Sequence, residues 1–469
     1  MDAIEQILDF GLKLRFSDLP QHVINRAKIA FLDTMGATLA GIQAEGVPEL
    51  SSLVSAWGGR PESTLVTNGE KVPAPWAALV NGVCGRACDL DDVHEQGTCH
   101  INVTSVPALL AIAEAKGRVD GRQFLTAAVV AAEITCRMAL APRISYSATG
   151  MSKSYQCGIF GSTLGICRIL GLDREEAQNA MGIAYAFVAG NQQGYVDGAH
   201  TVRLMQGRAA ETAVMAARMA EKGLTGSKQV LEGKFGYYPV FHRGKYEPEE
   251  LVDKLGSVWR LLEISIKPVY PCCKYTHGPI EATIAAMGKA GCSVDDIKKL
   301  EVTVTNKEVY DLVCLSRERK WNPTSITDAQ FSIPYTVATA AVYKQIAFDR
   351  FKQDALQDQA VAKVMKRVEA ILDVEGQGDG VGTFPMPGLV KVRTKSGEAF
   401  DARVDYVKGH PFNPMSFEDV AEKFRLCAEY GVPDWLKTDD FVEAVQNIEE
   451  VDDVSCLIDL VNVFAKPKK

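Results

Sequence analysis

The densest group of side chains able to do chemistry lies in residues 86–102, RACDLDDVHEQGTCHIN. Asp89, Asp91 and Asp92 precede two histidines, His94 and His100. A histidine titrates near neutral pH and can carry a proton, while a carboxylate can orient it or accept the proton itself. The same residue types also suit a capped, solvated loop or a hydrated metal site. Spacing alone does not choose between these interpretations and catalysis.

The three aspartates of this segment are close enough to affect one another. Asp89 and Asp92 are three residues apart, so on a continuing helix they would share a face while Asp91 turns away. Gly97 predicts an extended loop before the next apolar stretch. Three neighbouring carboxylates repel one another, which raises a pKa or requires a cation nearby.

A second polar segment, residues 264–277, reads ISIKPVYPCCKYTH. It holds Lys267, the adjacent Cys272 and Cys273, and His277. The chain has no second cysteine pair with zinc-ligand spacing, so we do not expect a metal here.

A third polar segment, residues 190–208, is rich in glycine and carries Arg203 and Arg208. Neither GxxxxGK[ST] nor GxGxxG occurs in it, so the segment does not resemble a phosphate-binding loop. An arginine here could hold a carboxylate through two hydrogen bonds, or it could lie along a helix with only its stem buried.

The first 265 or so residues that surround these segments are dominated by helical patterns. Small residues at the expected helix contacts permit close packing. Helices are predicted over residues 21–41, 104–117, 122–140, 159–171, 173–188 and 208–223. The pattern changes near Pro268, after which residues 298–305 and 389–394 alternate like strands, with helical stretches between them. Ser416 and Asp419 form the predicted capping pair of a later helix.

The predicted fold is therefore mainly α, with a large all-helical domain and a smaller α+β domain. The helical domain takes residues 1–266, residues 405–469 return to it, and the α+β domain takes residues 267–404. A length of 469 residues exceeds a single ordinary core, which also favours two domains.

Bulk composition excludes several classes of protein. A chain with 47% hydrophobic and 23% charged residues is typical of soluble globular proteins. Its formal net charge of -8 gives no reason to expect nucleic acid or an anionic membrane as a partner. No apolar run reaches the ~18 residues of a membrane span, and the acidic N-terminus is unlike a signal peptide. Twelve cysteines without CxxC spacing predict free thiols in a reducing cytoplasm.

Five segments together resemble the MmgE/PrpD family of 2-methylcitrate dehydratase. They run in family order from about residue 20 to about residue 425: AKIAFLDTMGATLAG, NGVCGRACDLDDVHEQGTCHINVTSVPALLAIAEAKG, IKPVYPCCKYTHGPIEA, AQFSIPYTVATAAV and VDYVKGHPFNPMSFEDVAEKF. The resemblance implies an enzyme that needs no cofactor, acts on a small carboxylate and usually forms a homodimer. It also implies an active site between a helical domain and a smaller lid domain.

The family motifs give roles to individual residues of this chain. Asp89 matches the first acid of the DxDD segment, and His100 matches the histidine that closes that loop, with Cys99 as an extra residue. Lys267 matches the lysine that opens the KPYP segment, and Tyr335 matches the tyrosine of SIPY. The resemblance makes these four the catalytic candidates. The substrate-binding candidates are Asp92, Ser152, Arg203 and His277, and no residue is expected to bind a metal.

Four positions depart from the family pattern. Val93 stands where many members have Thr, Ser152 and Met205 where many have His, and Val202 where the family often has Lys. These losses argue against 2-methylcitrate itself as the substrate. A more apolar or less charged substrate fits better, because burying an unneeded lysine would be costly.

The chemistry that the family shares is proton removal from a carbon beside a carboxylate, which requires fixed positive charge to stabilise the aci-carboxylate. By the resemblance, Lys267 and Arg203 suit that role and His100 carries the proton, with Asp89 orienting it or acting as the base. Tyr335 would donate to a leaving hydroxyl or reprotonate the product.

The first hypothesis is a lyase or hydratase of the 2-methylcitrate dehydratase type. The alternatives are an isomerase, epimerase or decarboxylase on a related carboxylate, and a member that only binds one.

Overall fold

The computed structural model describes residues 3–374, 386–433 and 437–461. Within them the chain forms two compact units. Unit 1 takes residues 1–191, 203–266 and 415–469, and unit 2 takes residues 192–202 and 267–414. The fold is mainly α with a smaller α+β part, as the sequence predicted. The boundaries differ from the expected ones, because residues 192–202 join unit 2 and the chain returns to unit 1 at 415.

Unit 1 is built from helices around one apolar core. Its central helices are buried on almost every side, which explains their alanine-rich composition. One small correction to the all-helical expectation is a two-residue antiparallel pairing of β1 (Ser63–Thr64) with β2 (Lys71–Val72). The helices are Ala3–Lys13, Gln21–Ala40, Val47–Trp57, Ala74–Ala87, Asn102–Lys116, Gly121–Leu140, Tyr146–Thr149, Lys153–Leu170, Arg174–Ala186, Thr201–Glu221, Tyr237–Phe241, Glu249–Val252, Phe417–Gly431, Thr438–Gln446 and Ser455–Val461, with short 3-10 turns at Phe16–Asp18, Arg260–Glu263 and Ile448–Glu450.

Small residues allow the central helices of unit 1 to approach closely. A Cβ atom on Gly161 would lie 2.1 Å from Oγ1 of Thr135 and 2.3 Å from the carbonyl oxygen of Ala131. Only glycine therefore permits this contact between helices Lys153–Leu170 and Gly121–Leu140. The prediction that small residues lie at helix contacts is confirmed here.

Helix Gly121–Leu140 bears on two expectations, the absence of a membrane span and the homodimer. It is 20 residues long with a mean hydropathy of 1.3, so it meets the length and composition of a membrane span, although 94% of that stretch is buried within the chain. A buried core helix meets the same criterion, so the match is weak evidence for a membrane. An alanine-rich helix with so little polar surface would need a partner subunit to cover it if it lay on the outside, but this helix is buried within the chain. The homodimer stays a prediction without that support.

Unit 2 contains a four-stranded sheet with the order β4-β3-β5-β6. Strands β3 (Ile297–Val304) and β4 (Val368–Leu372) are parallel, and β5 (Gly388–Thr394) runs antiparallel to β3 and to β6 (Ala399–Val404). The two predicted strands correspond to β3 and β5, and the KSG turn leads into β6 as expected. The helices of unit 2 are Gln193–Asp197, Lys274–Ala290, Lys307–Cys314, Arg317–Lys320, Ile326–Gln330, Ile333–Tyr343 and Gln359–Met365, with 3-10 turns at Val294–Asp296, Phe348–Phe351 and Ala355–Gln357.

A close contact between two glycines positions the helix that carries the end of the second polar segment. Helix Lys274–Ala290 packs on β5 at a glycine pair, where a Cβ atom on Gly388 would lie 2.1 Å from the carbonyl oxygen of Gly278.

In unit 1, Oγ of Ser416 accepts a hydrogen bond from the backbone N–H of Asp419, whose carboxylate accepts one from the N–H of Ser416. The predicted capping pair is confirmed, and it begins helix Phe417–Gly431.

Candidate functional site

The aspartate segment of unit 1 is a loop from its first residue. Helix Ala74–Ala87 ends at Cys88, and Asp89 adopts a φ of 53°, in the left-handed region that aspartate tolerates better than most residues. The expectation that Asp89 and Asp92 share a helical face is wrong, because the helix stops before either residue. The reversal instead turns Asp89 and Asp91 toward the same cation.

That cation is Arg86, in the last turn of the helix. Its Nη1 lies 2.8 Å from Oδ1 of Asp89 and 3.4 Å from Oδ1 of Asp91. All three side chains are buried. Buried carboxylates that lie close together require a compensating charge, and Arg86 supplies it. The sequence predicted the need for a cation, but it did not single out Arg86.

His100 joins this cluster through Asp91. Its Nδ1 lies 2.7 Å from Oδ2 of Asp91, and its side chain keeps 14% of its exposure while Asp91 is fully buried. The backbone N–H of His100 donates to Oγ of Ser154, 2.9 Å away. The loop is closed before it by a pair of backbone hydrogen bonds between His94 and Cys99. A carboxylate this close to Nδ1 holds the imidazole ring in place, and proton transfer by His100 stays a prediction.

Asp92 lies apart from that ion-pair cluster and holds the loop to the next helix. Its carboxylate accepts hydrogen bonds from the backbone N–H groups of Ile101 and Asn102, at 3.3 and 3.0 Å, and from the Asn102 side-chain amide. Burial raises the pKa of Asp92 to about 6, and the nearby Asp33 carboxylate adds to the rise. These contacts give Asp92 a structural role in the described part of the chain, and its predicted contact with substrate stays a prediction.

A buried ion pair fixes the backbone between the aspartates. Nζ of Lys423, from helix Phe417–Gly431, lies 2.6 Å from Oδ1 of Asp33 and donates to the carbonyl oxygen of Leu90 at 2.8 Å. Leu90 is the residue between Asp89 and Asp91. A lysine near the end of the chain therefore holds the loop that carries the candidate chemistry.

Arg203 adds a second positive charge near the aspartate loop. It is buried in helix Thr201–Glu221, and its Nη1 donates to the carbonyl oxygen of Glu45 at 3.0 Å. Burial lowers the pKa of Arg203, while the Glu45 and Asp89 carboxylates favour its charged form. The predicted residues Asp89, His100 and Arg203 therefore belong to one polar cluster of unit 1, with Arg86 and Asp91 between them.

Ser152 precedes helix Lys153–Leu170, the helix whose residue Ser154 contacts His100. It is buried, and its backbone N–H donates to the carbonyl oxygen of Gly190 at 3.4 Å. Ser152 stands two residues before Ser154, whose hydroxyl accepts from the His100 backbone, and its own contact with substrate stays a prediction.

The segment KPVYPCCKYTH belongs to unit 2, where it leads into helix Lys274–Ala290. Lys267 is fully buried, as is His277. Nε2 of His277 lies 3.1 Å from the carbonyl oxygen of Cys272, and its ring packs at 5.2 Å against that of Tyr270. Because a carbonyl only accepts, this contact places a proton on Nε2. His277 thus shapes the turn that follows Lys267.

Tyr335, also in unit 2, uses its hydroxyl within the protein. The hydroxyl donates to the carbonyl oxygen of Arg350 at 2.5 Å, and burial raises the pKa of the phenol. This contact ties helix Ile333–Tyr343 to the turn Phe348–Phe351. Proton donation by Tyr335 to a substrate stays a prediction and would require that this bond be exchanged.

Asp89, Asp91 and His100 also meet a geometric test for a metal site. One ligand atom from each residue lies within 4.8 Å of the others. Arg86 already occupies the space between the two carboxylates, so a divalent cation would have to displace or tolerate a guanidinium 2.8 Å from one ligand. The donor set therefore fits a metal poorly.

Sequence reasoning missed Arg86 and the role of Asp91. Arg86 stands three residues before Asp89 and could have been found as the only cation of the segment RACDLDD. The family motif pointed to Asp89, and a continuing helix would have turned Asp91 away from it. Its pairing with His100 depends on the loop closure at His94 and Cys99, which no spacing in the sequence reveals.

Comparison with known proteins identifies relatives over both parts of the chain. The family model of the MmgE/PrpD N-terminal domain matches residues 5–249, and that of the MmgE/PrpD C-terminal domain matches residues 270–447. Cis-aconitate decarboxylase of Aspergillus terreus is 25% identical, covering 98% of this chain and 96% of that protein. The human cis-aconitate decarboxylase is 26% identical over 97% of this chain and 93% of its own. The 2-methylcitrate dehydratase of Escherichia coli K12 is 25% identical over 79% of this chain and 77% of its own.

Proposed function

Because the chain belongs to the MmgE/PrpD family, we propose that it is a cofactor-independent lyase that removes a proton beside a carboxylate of a small polycarboxylate and expels water. The relatives named above are a decarboxylase and a dehydratase of small polycarboxylates, which supports the substrate class. The observation that carries the proposal is the contact of His100 with buried Asp91 at 2.7 Å, with Arg86 beside the same carboxylate.

In the proposed step, Nε2 of His100 takes the proton from the carbon. The negative charge of Asp91 stabilises the imidazolium that results, as in other carboxylate–histidine pairs. The electrons left on the carbon delocalise into the adjacent carboxylate, and the carbon–oxygen bond then breaks. The leaving hydroxyl takes the proton held on His100 and departs as water, which returns the imidazole to its neutral form.

Fixed positive charge is the second requirement of this chemistry. Arg203 is the cation of unit 1 that we assign to the substrate carboxylate, because Arg86 is already engaged by Asp89 and Asp91. A buried guanidinium is preorganised and strongly stabilises an anion that develops beside it. Lys267 is the corresponding candidate from unit 2, on the family motif alone.

Decarboxylation is the second candidate. The cis-aconitate decarboxylases match 96–98% of this chain, whereas the Escherichia coli dehydratase matches 79%. In that reaction carbon dioxide leaves, and the same cationic groups stabilise the carbanion until a proton is returned to the carbon.

A screen of hydroxy-, amino- and unsaturated di- and tricarboxylates in D2O tests both candidates. Loss of water with a new ultraviolet absorbance from a conjugated double bond supports dehydration, and release of carbon dioxide supports decarboxylation. Deuterium exchange without net loss indicates an isomerase or epimerase. The absence of exchange with every compound, despite measurable binding, would leave only a carboxylate-binding protein.

We also propose a cytoplasmic homodimer, on the resemblance to the family and on the composition. All twelve cysteines are free thiols in the structure, which is compatible with a reducing compartment. Light scattering should return about twice 51.0 kDa at micromolar concentration. A mass of one chain would contradict the proposed dimer.

A further inference from the structure

Gln206 has a buried side chain whose polar atoms have no hydrogen-bond partner in the described residues. It exposes 2% of its surface, and neither Oε1 nor Nε2 makes a hydrogen bond there. A buried amide normally finds partners, because leaving it unpaired costs the free energy of removing it from water. An amide left unpaired on both atoms is therefore a candidate for binding a ligand.

The helix places Gln206 beside the candidate site of unit 1. Gly207 presses helix Thr201–Glu221 against helix Ala74–Ala87, since a Cβ atom there would lie 2.1 Å from the carbonyl oxygen of Leu79. Arg203 lies one turn before Gln206, and residues three apart on a helix are neighbours. The charge of Arg203 interacts with the carboxylate of Asp89, so this part of the helix adjoins the aspartate loop.

We propose that Gln206 binds a neutral hydroxyl group of the substrate, next to the carboxylate that Arg203 holds. This inference rests on the proposed function and assigns a residue to the hydroxyl that dehydration requires of the substrate. An amide offers one kind of donor and one acceptor, and a hydroxyl group can satisfy both. A carboxylate only accepts, so it would leave Oε1 of Gln206 unpaired. The residue therefore favours a hydroxy acid over an unsaturated acid without a hydroxyl.

The test compares two tricarboxylates that differ in a single hydroxyl, citrate and propane-1,2,3-tricarboxylate, by calorimetric titration. The wild-type protein should bind citrate about tenfold or more tightly, because a site built for a hydroxyl leaves polar groups unpaired with the analogue. In Gln206→Leu the two should bind with nearly equal affinity, through loss of citrate binding alone. Leucine has a similar size and no unpaired amide, so the melting temperature without ligand should stay the same or rise.

Two further variants keep the result interpretable. Gln206→Asn is the alternative if the leucine variant fails to fold. It retains an amide on a shorter side chain, so it should lose part of the preference for citrate. Gln21→Leu is the matched control, because Gln21 is exposed and its side-chain amide donates to Oδ1 of Asn25 at 2.9 Å. It should keep the wild-type preference.

The outcomes separate this inference from the proposed function. Equal binding of both compounds by the wild-type protein, or an unchanged preference in Gln206→Leu, overturns the role of Gln206 and leaves the lyase proposal standing. A lower melting temperature with unchanged binding means that the amide is satisfied by buried water. If the wild-type protein binds neither compound nor any other polycarboxylate, the proposed function fails and this inference fails with it.

Discussion

Nδ1 of His100 lies 2.7 Å from Oδ2 of Asp91, and Asp91 in turn shares Arg86 with Asp89. By the family resemblance, Asp89 was expected either to orient the histidine or to act as the base itself. The structure gives that contact to Asp91. Asp89 is instead the closer partner of Arg86, and the arginine compensates the charge of both aspartates.

Removing either member of the His100–Asp91 pair should slow the chemical step. His100→Gln should lower kcat by roughly 10²–10⁴-fold, the usual contribution of a positioned proton carrier. Asp91→Asn should also lower kcat, because an asparagine no longer stabilises the imidazolium. Steady-state kinetics and a thermal melt measure both effects. Near-wild-type kcat with a lower melting temperature would make His100 a structural loop residue.

Lys267 should affect turnover as well as binding. If its charge stabilises the anionic intermediate, Lys267→Met lowers kcat and raises KM, since the interaction strengthens as the intermediate forms. Lys267→Arg, which keeps the charge, should recover part of the loss. The exposed Lys298→Met serves as the control and should leave both parameters unchanged. A rise in KM with wild-type kcat would limit Lys267 to substrate binding.

The raised pKa of Asp92 predicts a pH dependence of stability. Below about pH 4 the carboxyl is protonated in both states and costs nothing. Between about pH 4 and the folded pKa of about 6, the unfolded chain ionises first, so the free energy of unfolding falls by about 3 kcal/mol as pH rises.

Asp92→Asn should abolish that loss, because asparagine cannot ionise and its Oδ1 can still accept from the Asn102 N–H. Urea unfolding at several values between about pH 4 and about pH 7 measures the free-energy difference between variant and wild type. The difference should grow in favour of the variant as pH rises. A constant difference would show that Asp92 ionises normally in the folded protein.

The Lys423–Asp33 pair should contribute to stability in an asymmetric way. Lys423→Met leaves the Asp33 carboxylate buried without its cation and removes a donor from Leu90, so it should cost about 3–5 kcal/mol in unfolding free energy. The double variant Lys423→Met/Asp33→Asn should regain part of this loss. Lys363→Met breaks an exposed pair with Asp295 and should leave the urea midpoint almost unchanged. Equal effects of the two lysine variants would contradict the importance of burial.

Metal removal should not affect the enzyme. The guanidinium of Arg86 already supplies the positive charge between Asp89 and Asp91. Prolonged dialysis against a chelator should therefore leave kcat unchanged once a substrate is known. Loss of activity that added divalent metal restores would reassign Asp89, Asp91 and His100 as ligands.

The helices and strands could be predicted where composition or alternation is pronounced, as in the alanine-rich helix Gly121–Leu140 and the alternating strand β3. The geometry of the aspartate loop could not, because it depends on where a helix ends. Asp89 leaves the helix through a left-handed conformation, and helical spacing then no longer describes Asp91 and Asp92. Contacts from distant sequence, such as Lys423 with Leu90, leave no local signal at either residue.

That last contact also bears on how the protein is made. Lys423 and Leu90 are 333 residues apart, and translation produces the aspartate loop long before the lysine that holds it. A fragment that ends with the N-terminal family domain, at residue 249, contains Asp33 but not its cation. The loop can therefore make this contact only when the nascent chain is almost complete, and residues 5–249 alone lack the lysine that holds it.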